Sequence, residues 1–293
     1  MAMSFFPSRH RCCPQCCQRI VKVGDEEVIE YYHRGVVFYL VGFPIAMPLD
    51  VEMIQPGEGE VIAAKRLLQR VLPRYGRFFD VALTDALYLE APFYNLCLKH
   101  HKQVISVLKG EQRLLLQDAQ GVFSLIEPNV WKEEHSQIRA WDEEWFTTAE
   151  GIKVPLRVLR SEETVTKRYR KNHQWIEKTE LHHWCWTTTL SISQIPTRLL
   201  WHIAHRRWEI ENDLLHTLVT YFALDHCFKH HPTAILNFIL TLFIAFVLLQ
   251  SFYYRNLKPQ RRFHLTLIGL TNELHLSLVT MDIPAPWITF RGG

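Results

Sequence analysis

Two carboxylates lie at positions where the surrounding pattern favours apolar residues. Asp85 interrupts the apolar run VALTDALY, and Glu211 lies in RRWEIEN, residues 206–212. On one helical face, Arg207 and Glu211 are flanked at steps of three and four by apolar residues, namely Leu200, Ala204, Leu215, Leu218 and Phe222. A buried carboxylate is costly unless a cation or a metal ion offsets its charge. Asp85 and Glu211 are therefore the first candidates for chemistry.

The residues alone leave two interpretations of these acids open. In the first, Arg207 and Glu211 form an i,i+4 salt bridge, and Asp85 caps a turn just past a strand. In the second, Asp85 and Glu211 converge to within roughly 4–8 Å and share a divalent ion. Mg²⁺ prefers a few carboxylate oxygens, waters and substrate phosphates, and such ions support phosphodiester chemistry.

A second set of candidate ligands lies in RCCPQCC, residues 11–17. The spacing of Cys13 and Cys16 lets both thiolates reach one zinc ion, and a structural zinc site needs four ligands. His33, or His226 together with Cys227, could complete such a site through the fold. The alternative is a group of reduced cysteines that bind no metal.

A basic stretch, residues 153–171, holds seven Lys or Arg against two Glu. Its end, with Lys167, Arg168, Arg170 and Lys171, is a candidate for neutralising DNA phosphates. Tyr169 and Trp175 are near enough in sequence to stack on bases. A second basic segment spans residues 255–262. The alternative for residues 153–171 is a solvated basic strand edge.

The elements that must position these residues follow from the apolar pattern. Residues 31–110 predict the order β-β-α-β-α-β, with a hairpin followed by parallel strands. VALTDALY predicts a central strand covered on both faces, with Asp85 at its carboxyl end, where open α/β sheets bind ligands. Residues 111–195 predict a β-rich insertion with a short helix near 131–145. Trp184 and Trp186 alternate with Cys185, so both would face the same side of a strand. This arrangement favours core packing over base stacking.

Two helices are predicted between residues 196 and 254, separated by a turn around KHHPTA, residues 229–234. The predicted regions are a cysteine-rich lead-in (1–30), a first core part (31–110), the insertion (111–195), a helical second core part (196–256) and a tail (257–293). Residues 234–254 are strongly apolar, but the uninterrupted run is about twelve residues, short of the roughly twenty that span a membrane. A buried core helix is the favoured interpretation, and a membrane span is the alternative.

The bulk composition excludes little. The chain has 293 residues, 48% hydrophobic and 22% charged, which is typical of a globular protein. The net charge of +3 is too small to indicate nucleic-acid binding by itself. The seven cysteines are odd in number, and the first residues lack the apolar core of a secretory signal. Reduced thiols in a cytosolic compartment are therefore expected.

The order strand–Asp–helix–strand, β region and helix with R-W-x-I-E resembles the DDE transposases of the insertion-sequence-4 family. The resemblance is carried by DALY (85–88), ISVLK (105–109), RRWEIEN (206–212) and LDHCFKHHPTAI (224–235). It implies an α/β, ribonuclease-H-like mixed sheet flanked by helices, with a β-rich insertion before the last catalytic helix.

The resemblance also implies roles. Asp85 would be the second catalytic Asp and Glu211 the final Glu, both ligands of Mg²⁺ or Mn²⁺. Arg207 would orient Glu211 or contact a phosphate. The implied partner is double-stranded DNA, as transposon ends and target, bound by a homodimer in the cytoplasm at the nucleoid.

The chain departs from the family pattern at three points. In the signature Y-x2-R-x3-E-x6-K, Ala204 replaces Tyr and Leu218 replaces Lys. The first catalytic Asp belongs on a strand before EYYHRGVVFYLVG, and no Asp precedes Asp25, which lies in a predicted turn. Asp50 follows the second predicted strand, so its place in the chain order is wrong for the first catalytic Asp. Either the chain is an amino-terminally shortened transposase, or another segment rebuilds the sheet. The expected protein is an active transposase or a remnant that binds DNA without cutting it.

Overall fold

The computed structural model describes residues 2–43, 45–110, 113–134, 136–171, 174–226 and 229–280. The chain divides into two units, one made of Met1–Leu67 with Trp208–Gly293 and the other of Leu68–Arg207. Helix α1, Glu60–Tyr75, contains the first boundary between the units, and a short 3₁₀ turn, Arg206–Trp208, contains the second.

The first unit is built on a four-stranded antiparallel sheet. Its strands are β1 (Ala2–Ser8), β2 (Cys17–Val23), β3 (Glu26–Leu40) and β4 (Met47–Ile54). The long strand β3 pairs with all three others, and its pairing with β4 is the predicted hairpin. Strands β1 and β2 lie in the stretch read from sequence as a polar lead-in. Phe5 and Phe6 attach β1 to the core, where both are almost fully buried.

The first unit also contains helices. They are α5 (His216–Phe222), α6 (Pro232–Ser251), α7 (Pro259–His264) and α8 (Leu267–Thr280), with π-helical segments at Ile210–Leu215 and Phe252–Asn256. Helix α6 packs on β4 and buries one face at steps of three and four, made of Ile235, Ile239, Phe243, Phe246 and Gln250. By length and composition, Pro232–Asn256 is also apolar enough to cross a membrane. The buried face supports the core-helix interpretation, because its apolar residues share one cluster with Val37 and Val51 of the sheet.

The second unit holds a six-stranded mixed sheet in the order β5-β6-β10-β9-β8-β7. Its elements are β5 (Val81–Thr84), α2 (Ala91–Lys99), β6 (Gln103–Val107), α3 (Leu114–Phe123), β7 (Asn129–Glu133), β8 (Ser136–Phe146), β9 (Leu156–Lys171), β10 (Gln174–Thr188) and α4 (Thr197–His205). Strands β5 and β6 run parallel, and every other pairing in this sheet is antiparallel. The mixed α/β class, the order β-β-α-β-α-β and the β-rich insertion are confirmed.

Two sequence predictions for this unit are wrong. The segment predicted as a helix, 131–145, contributes residues 131–133 to β7 and 136–145 to β8. Ile138 and Ala140 are buried, while Gln137 and Arg139 between and beside them are not. That alternation has the period of a strand. Strand β5 is an edge strand of its sheet rather than a central one, and all four of its residues are only half-buried.

A buried ion pair anchors the start of α4 to this sheet. The side chains of Arg157 and Asp142 are each 1% exposed and make a bidentate contact at 2.6–2.7 Å. Arg157 also donates to the carbonyl oxygens of Ser191 and Ile195. The loop that leads into α4 is thus held by the same guanidinium that neutralises the buried carboxylate.

Candidate active site

Asp85 lies directly after β5, at the carboxyl end of the parallel strand pair. Its Oδ1 accepts a hydrogen bond of 2.6 Å from the backbone N–H of Ala86, and this begins the 3₁₀ turn Ala86–Tyr88. Its Oδ2 has no hydrogen-bond partner among the described residues. The side chain is half-buried. One carboxylate oxygen therefore caps the turn, as one interpretation predicted, and the other can accept a cation.

The loop behind Asp85 is fixed from two sides. Arg113 donates to the carbonyl oxygens of Ala86 and Leu89 at 3.1 and 3.0 Å. On the strand side of the loop, Thr84 and Tyr94 both hydrogen-bond to the buried hydroxyl of Ser106 on β6. Burial raises the pKa of the Tyr94 phenol, which therefore stays protonated as a donor. Sequence reasoning missed Arg113, because its two partners are backbone carbonyls more than twenty residues away.

Glu211 lies in a π-helical segment, Ile210–Leu215, between α4 and α5. Single π turns in helices are rare and occur frequently at functional sites. Of the apolar residues predicted around it, Leu200, Ala204, Leu215 and Leu218 are buried, whereas Phe222 is half-buried. Glu211 itself is half-buried. Arg207 is buried, with 8% exposure, in the 3₁₀ turn that ends the second unit.

The chemistry of Asp85 fits a hard divalent cation. A partly exposed carboxylate oxygen beside solvent suits Mg²⁺ or Mn²⁺, which keep several waters in their coordination shells. Among the described residues of its own unit, Asp85 belongs to no group of three metal-ligating side chains. Glu211 belongs to the other unit, so joint ligation by Asp85 and Glu211 stays a prediction.

The cysteine-rich stretch forms a second cluster of ligands, within the first unit. Cys13, Cys16, His33 and His230 each offer one ligand atom, and these four atoms lie within 4.8 Å of one another. Cys13, Cys16 and His33 were candidates from sequence, whereas His230 was missed. His226 is outside the cluster, and Cys227 lies outside the described residues.

Burial governs the protonation of this cluster. Desolvation, together with the nearby His230, lowers the pKa of His33 to about 4. Desolvation also lowers the pKa of His230 and raises the pKa of the Cys13 thiol. Both imidazoles are therefore neutral at physiological pH, the form in which histidine binds metals.

The candidate DNA-binding residues lie at the tip of the β9–β10 hairpin. Arg168 and Arg170 pair across the strands with Glu177 and Trp175, so these four side chains share one face. Tyr169 lies on the other face, and Tyr169 and Trp175 are 44% and 68% exposed. The two aromatic rings therefore do not form one stacking platform.

Acidic residues offset part of the charge on this hairpin. Lys167 contacts Glu180 at 3.3 Å, and Arg168 contacts Glu177 at 2.6 Å. The Lys167 and Arg168 side chains are still 62% and 71% exposed. Trp184 and Trp186 lie further down β10 with their rings stacked on each other at 6.1 Å, and Trp186 is buried as predicted. The His205 ring meets the Trp186 ring edge-on at 5.0 Å. In the other basic segment, Arg255, Lys258 and Arg261 are exposed.

Comparison with known protein families identifies the family of the chain. Residues 43–248, more than two thirds of its length, match the model of the transposase DDE domain family. The matched range includes Asp85, Arg207 and Glu211, and it excludes Cys13, Cys16 and His33. No curated protein sequence matches the chain. The length of the family match, together with the mixed α/β fold, shows that the chain belongs to the transposase DDE domain family.

Proposed function

We propose that the chain is a DNA transposase of the insertion-sequence-4 type, which cleaves transposon ends and joins them to target DNA. The observation that carries the proposal is the family match across residues 43–248, which includes both unusual acids. Asp85 adds a physical reason, because at the end of a parallel strand it presents a carboxylate oxygen that has no hydrogen-bond partner in the part of the chain that the structure describes.

Each site residue has a specific role in this proposal. Asp85 and Glu211 hold Mg²⁺ or Mn²⁺, and Arg207 orients Glu211 or contacts a phosphate. The bound ions would activate a water or 3′-hydroxyl and stabilise the leaving oxygen. Arg113 keeps the turn after β5 rigid, so that the Asp85 carboxylate is held in one position.

The proposed partner is double-stranded DNA, bound by a homodimer in the cytoplasm at the nucleoid. Lys167, Arg168, Arg170 and Lys171 on the β9–β10 hairpin supply positive charge for the phosphates. The segment 255–262 supplies more, since three of its basic side chains are exposed.

A second candidate function is DNA binding without cleavage, by a remnant of such an enzyme. It rests on one observation: strand β1, which precedes β3 and pairs with it, has the sequence AMSFFPS and carries no carboxylate. The family's first catalytic Asp belongs on the strand in that place. Asp50 is the first substitute to test, but its Oδ1 already accepts from the backbone N–H of Val51 at 2.8 Å.

Cleavage of a supercoiled plasmid carrying the DNA that flanks the coding sequence separates these functions. With Mg²⁺ or Mn²⁺, the transposase proposal expects nicking that Asp85→Asn and Glu211→Gln each abolish. Asp80→Asn is the matched control, because the Asp80 side chain is 98% exposed near the same strand. Binding without nicking would support the remnant, and chain that neither binds nor nicks this DNA would contradict both functions.

Metal binding is measured separately from activity. Electron paramagnetic resonance of added Mn²⁺ reports bound ion directly. We expect weaker Mn²⁺ binding in Asp85→Asn and in Glu211→Gln than in wild type and Asp80→Asn. Equal Mn²⁺ binding in all four proteins would remove these two acids from the site.

A further inference from the structure

Four side chains in the first unit come together around a small volume, and three of them lie outside the transposase match. They are Cys13, Cys16, His33 and His230. Two come from the segment between β1 and β2, one from the middle of β3, and one from just before α6. The proposed transposition chemistry uses none of them.

The local sequence explains how the two thiols come to face one another. Cys13-Pro14-Gln15-Cys16 forms a β-turn in which Cys16 N–H donates to Cys13 C=O at 3.3 Å. Proline is favoured at the second position of such turns because its φ is already fixed there. The turn brings both sulfurs to the same side, and Cys13, Cys16 and their neighbours Cys12 and Cys17 are all free thiols.

The distances match those of a metal site rather than a disulfide. In a tetrahedral zinc site, two sulfurs lie about 3.8 Å apart, and a sulfur and a nitrogen lie about 3.6 Å apart, given the usual bond lengths. Here the two Sγ atoms are 3.7 Å apart. His33 Nε2 lies 3.5 Å from Cys13 Sγ and 3.7 Å from Cys16 Sγ. Three of the ligand atoms therefore already have tetrahedral spacing.

His230 supplies the fourth ligand. Its ring lies 4.9 Å from the ring of His33, centroid to centroid. Both of its ring nitrogens are buried and lack a hydrogen-bond partner among the described residues. A buried imidazole that makes no hydrogen bond is costly, and coordination of a cation removes that cost. Its ligand nitrogen is within 4.8 Å of the other three ligand atoms, so a shift of about 1 Å completes the tetrahedron.

We infer that Cys13, Cys16, His33 and His230 bind one Zn²⁺ ion in a structural Cys₂His₂ site. Two thiolates and two imidazoles in tetrahedral geometry select zinc among the common divalent ions. Four protein ligands leave no open position for water, so the ion stabilises the fold and takes no part in catalysis. It joins the β1–β2 segment, strand β3 and the segment that leads into α6.

The test is the zinc content of the purified full-length chain, measured by elemental mass spectrometry. Wild type is expected to hold one zinc per chain, and Cys13→Ser and His230→Asn are expected to lose it. Cys12→Ser and His231→Asn are matched controls, because each replaces an exposed neighbour of the same type and should leave the zinc in place. Wild type without zinc, iron in its place, or equal zinc in all five proteins would overturn the inference.

A second measurement does not depend on whether the variants fold. Wild-type chain stripped with a chelator is titrated with Co²⁺, whose visible spectrum reports coordination number and thiolate ligation. We expect intense tetrahedral bands with a thiolate charge-transfer band, saturating at one Co²⁺ per chain and abolished by excess Zn²⁺. A weak octahedral spectrum, or one without the thiolate band, would refute the Cys₂His₂ site.

Discussion

At the scale of single residues, Glu163 shows how a buried carboxylate is kept charged in this fold. Its Oε1 accepts hydrogen bonds of 2.8 Å from Ser161 and Trp201, and lies 2.8 Å from His205 Nε2. Burial acts to raise the pKa of Glu163, but the contacts with His205, Ser161 and Trp201 outweigh it, and the net pKa is lowered. The ionised carboxylate therefore fastens α4 to β9.

The lowered pKa of Glu163 predicts how stability depends on pH. Because the folded state binds this proton less readily than the unfolded state, the stabilisation is present above pH 4.5 and is lost as pH falls through the lowered folded value. Glu163→Gln should destabilise the second unit by about 2–3 kcal/mol at pH 7, and the difference from wild type should shrink below pH 4.5.

Tryptophan fluorescence during urea unfolding measures this effect, because seven of the nine tryptophans lie within residues 68–207. Glu162→Gln is the matched control, since Glu162 pairs with Arg139 and Arg160 at a more exposed position and should change stability little. A loss for Glu163→Gln that is the same at pH 3 and pH 7 would contradict the charged role of Glu163.

At the scale of elements, the β9–β10 hairpin is the predicted DNA-binding surface. Reversing Lys167, Arg168, Arg170 and Lys171 to glutamate should weaken binding to duplex DNA strongly. If all four contact phosphates, the slope of log affinity against log salt should become shallower by about 4, since each lost phosphate contact accounts for about 0.9. Fluorescence anisotropy over a salt series measures both effects.

The acids on β10 provide the matched control for the hairpin. Glu177→Gln and Glu180→Gln release Arg168 and Lys167 from their ion pairs. These variants should bind DNA more tightly than wild type. If neither the reversed nor the released variants alter DNA affinity, the hairpin charges are only solvated surface.

What the sequence could predict at this scale depends on how local the signal is. The alternation of strands and helices over 31–110 follows from short apolar periods, and the structure confirms it. The segment 131–145 has mixed polarity, and only the pairing of β8 with β7 and β9 decides that its described residues form strands. The sequence indicates Cys13 and Cys16 as metal ligands because they are close together in the chain. His230 lies far from them in sequence, and only the fold brings it to the cluster. Nothing in KHHP distinguishes His230 from His231.

The position of β5 shows the same limit. Its apolar run VALT predicted a strand and its carboxyl end predicted the place of Asp85, and both predictions are confirmed. Whether a strand is central or at an edge depends on neighbours that the run itself does not encode. The Asp85 carboxylate could therefore be located in sequence, but its tether through Arg113 could not.

At the scale of the whole molecule, the question is whether Pro232–Asn256 crosses a membrane or completes a core. One face of α6 is buried at Ile239, Phe243 and Phe246, while Ile244 and Leu248 on other faces are 62% and 64% exposed. Near its end, Gln250 is 3% exposed, accepts from the backbone N–H of Ala46 at 2.8 Å and donates to the Ala46 carbonyl oxygen at 2.9 Å. A side chain that pairs both backbone groups of one loop residue is typical of a packed protein interior.

We therefore predict that the full-length chain is recovered in the soluble fraction after lysis without detergent, and that alkaline carbonate releases any chain that pellets with membranes.

The variant Gln250→Leu provides a second test, because it makes the helix more apolar while removing both hydrogen bonds to Ala46. A core helix should then lose stability, seen as a lower unfolding temperature, since two hydrogen bonds to Ala46 are lost, each contributing about 0.5–1.5 kcal/mol. A membrane span should instead tolerate or gain from this change. The core-helix interpretation would be contradicted if the wild-type chain resists carbonate extraction and the Gln250→Leu variant has unchanged stability.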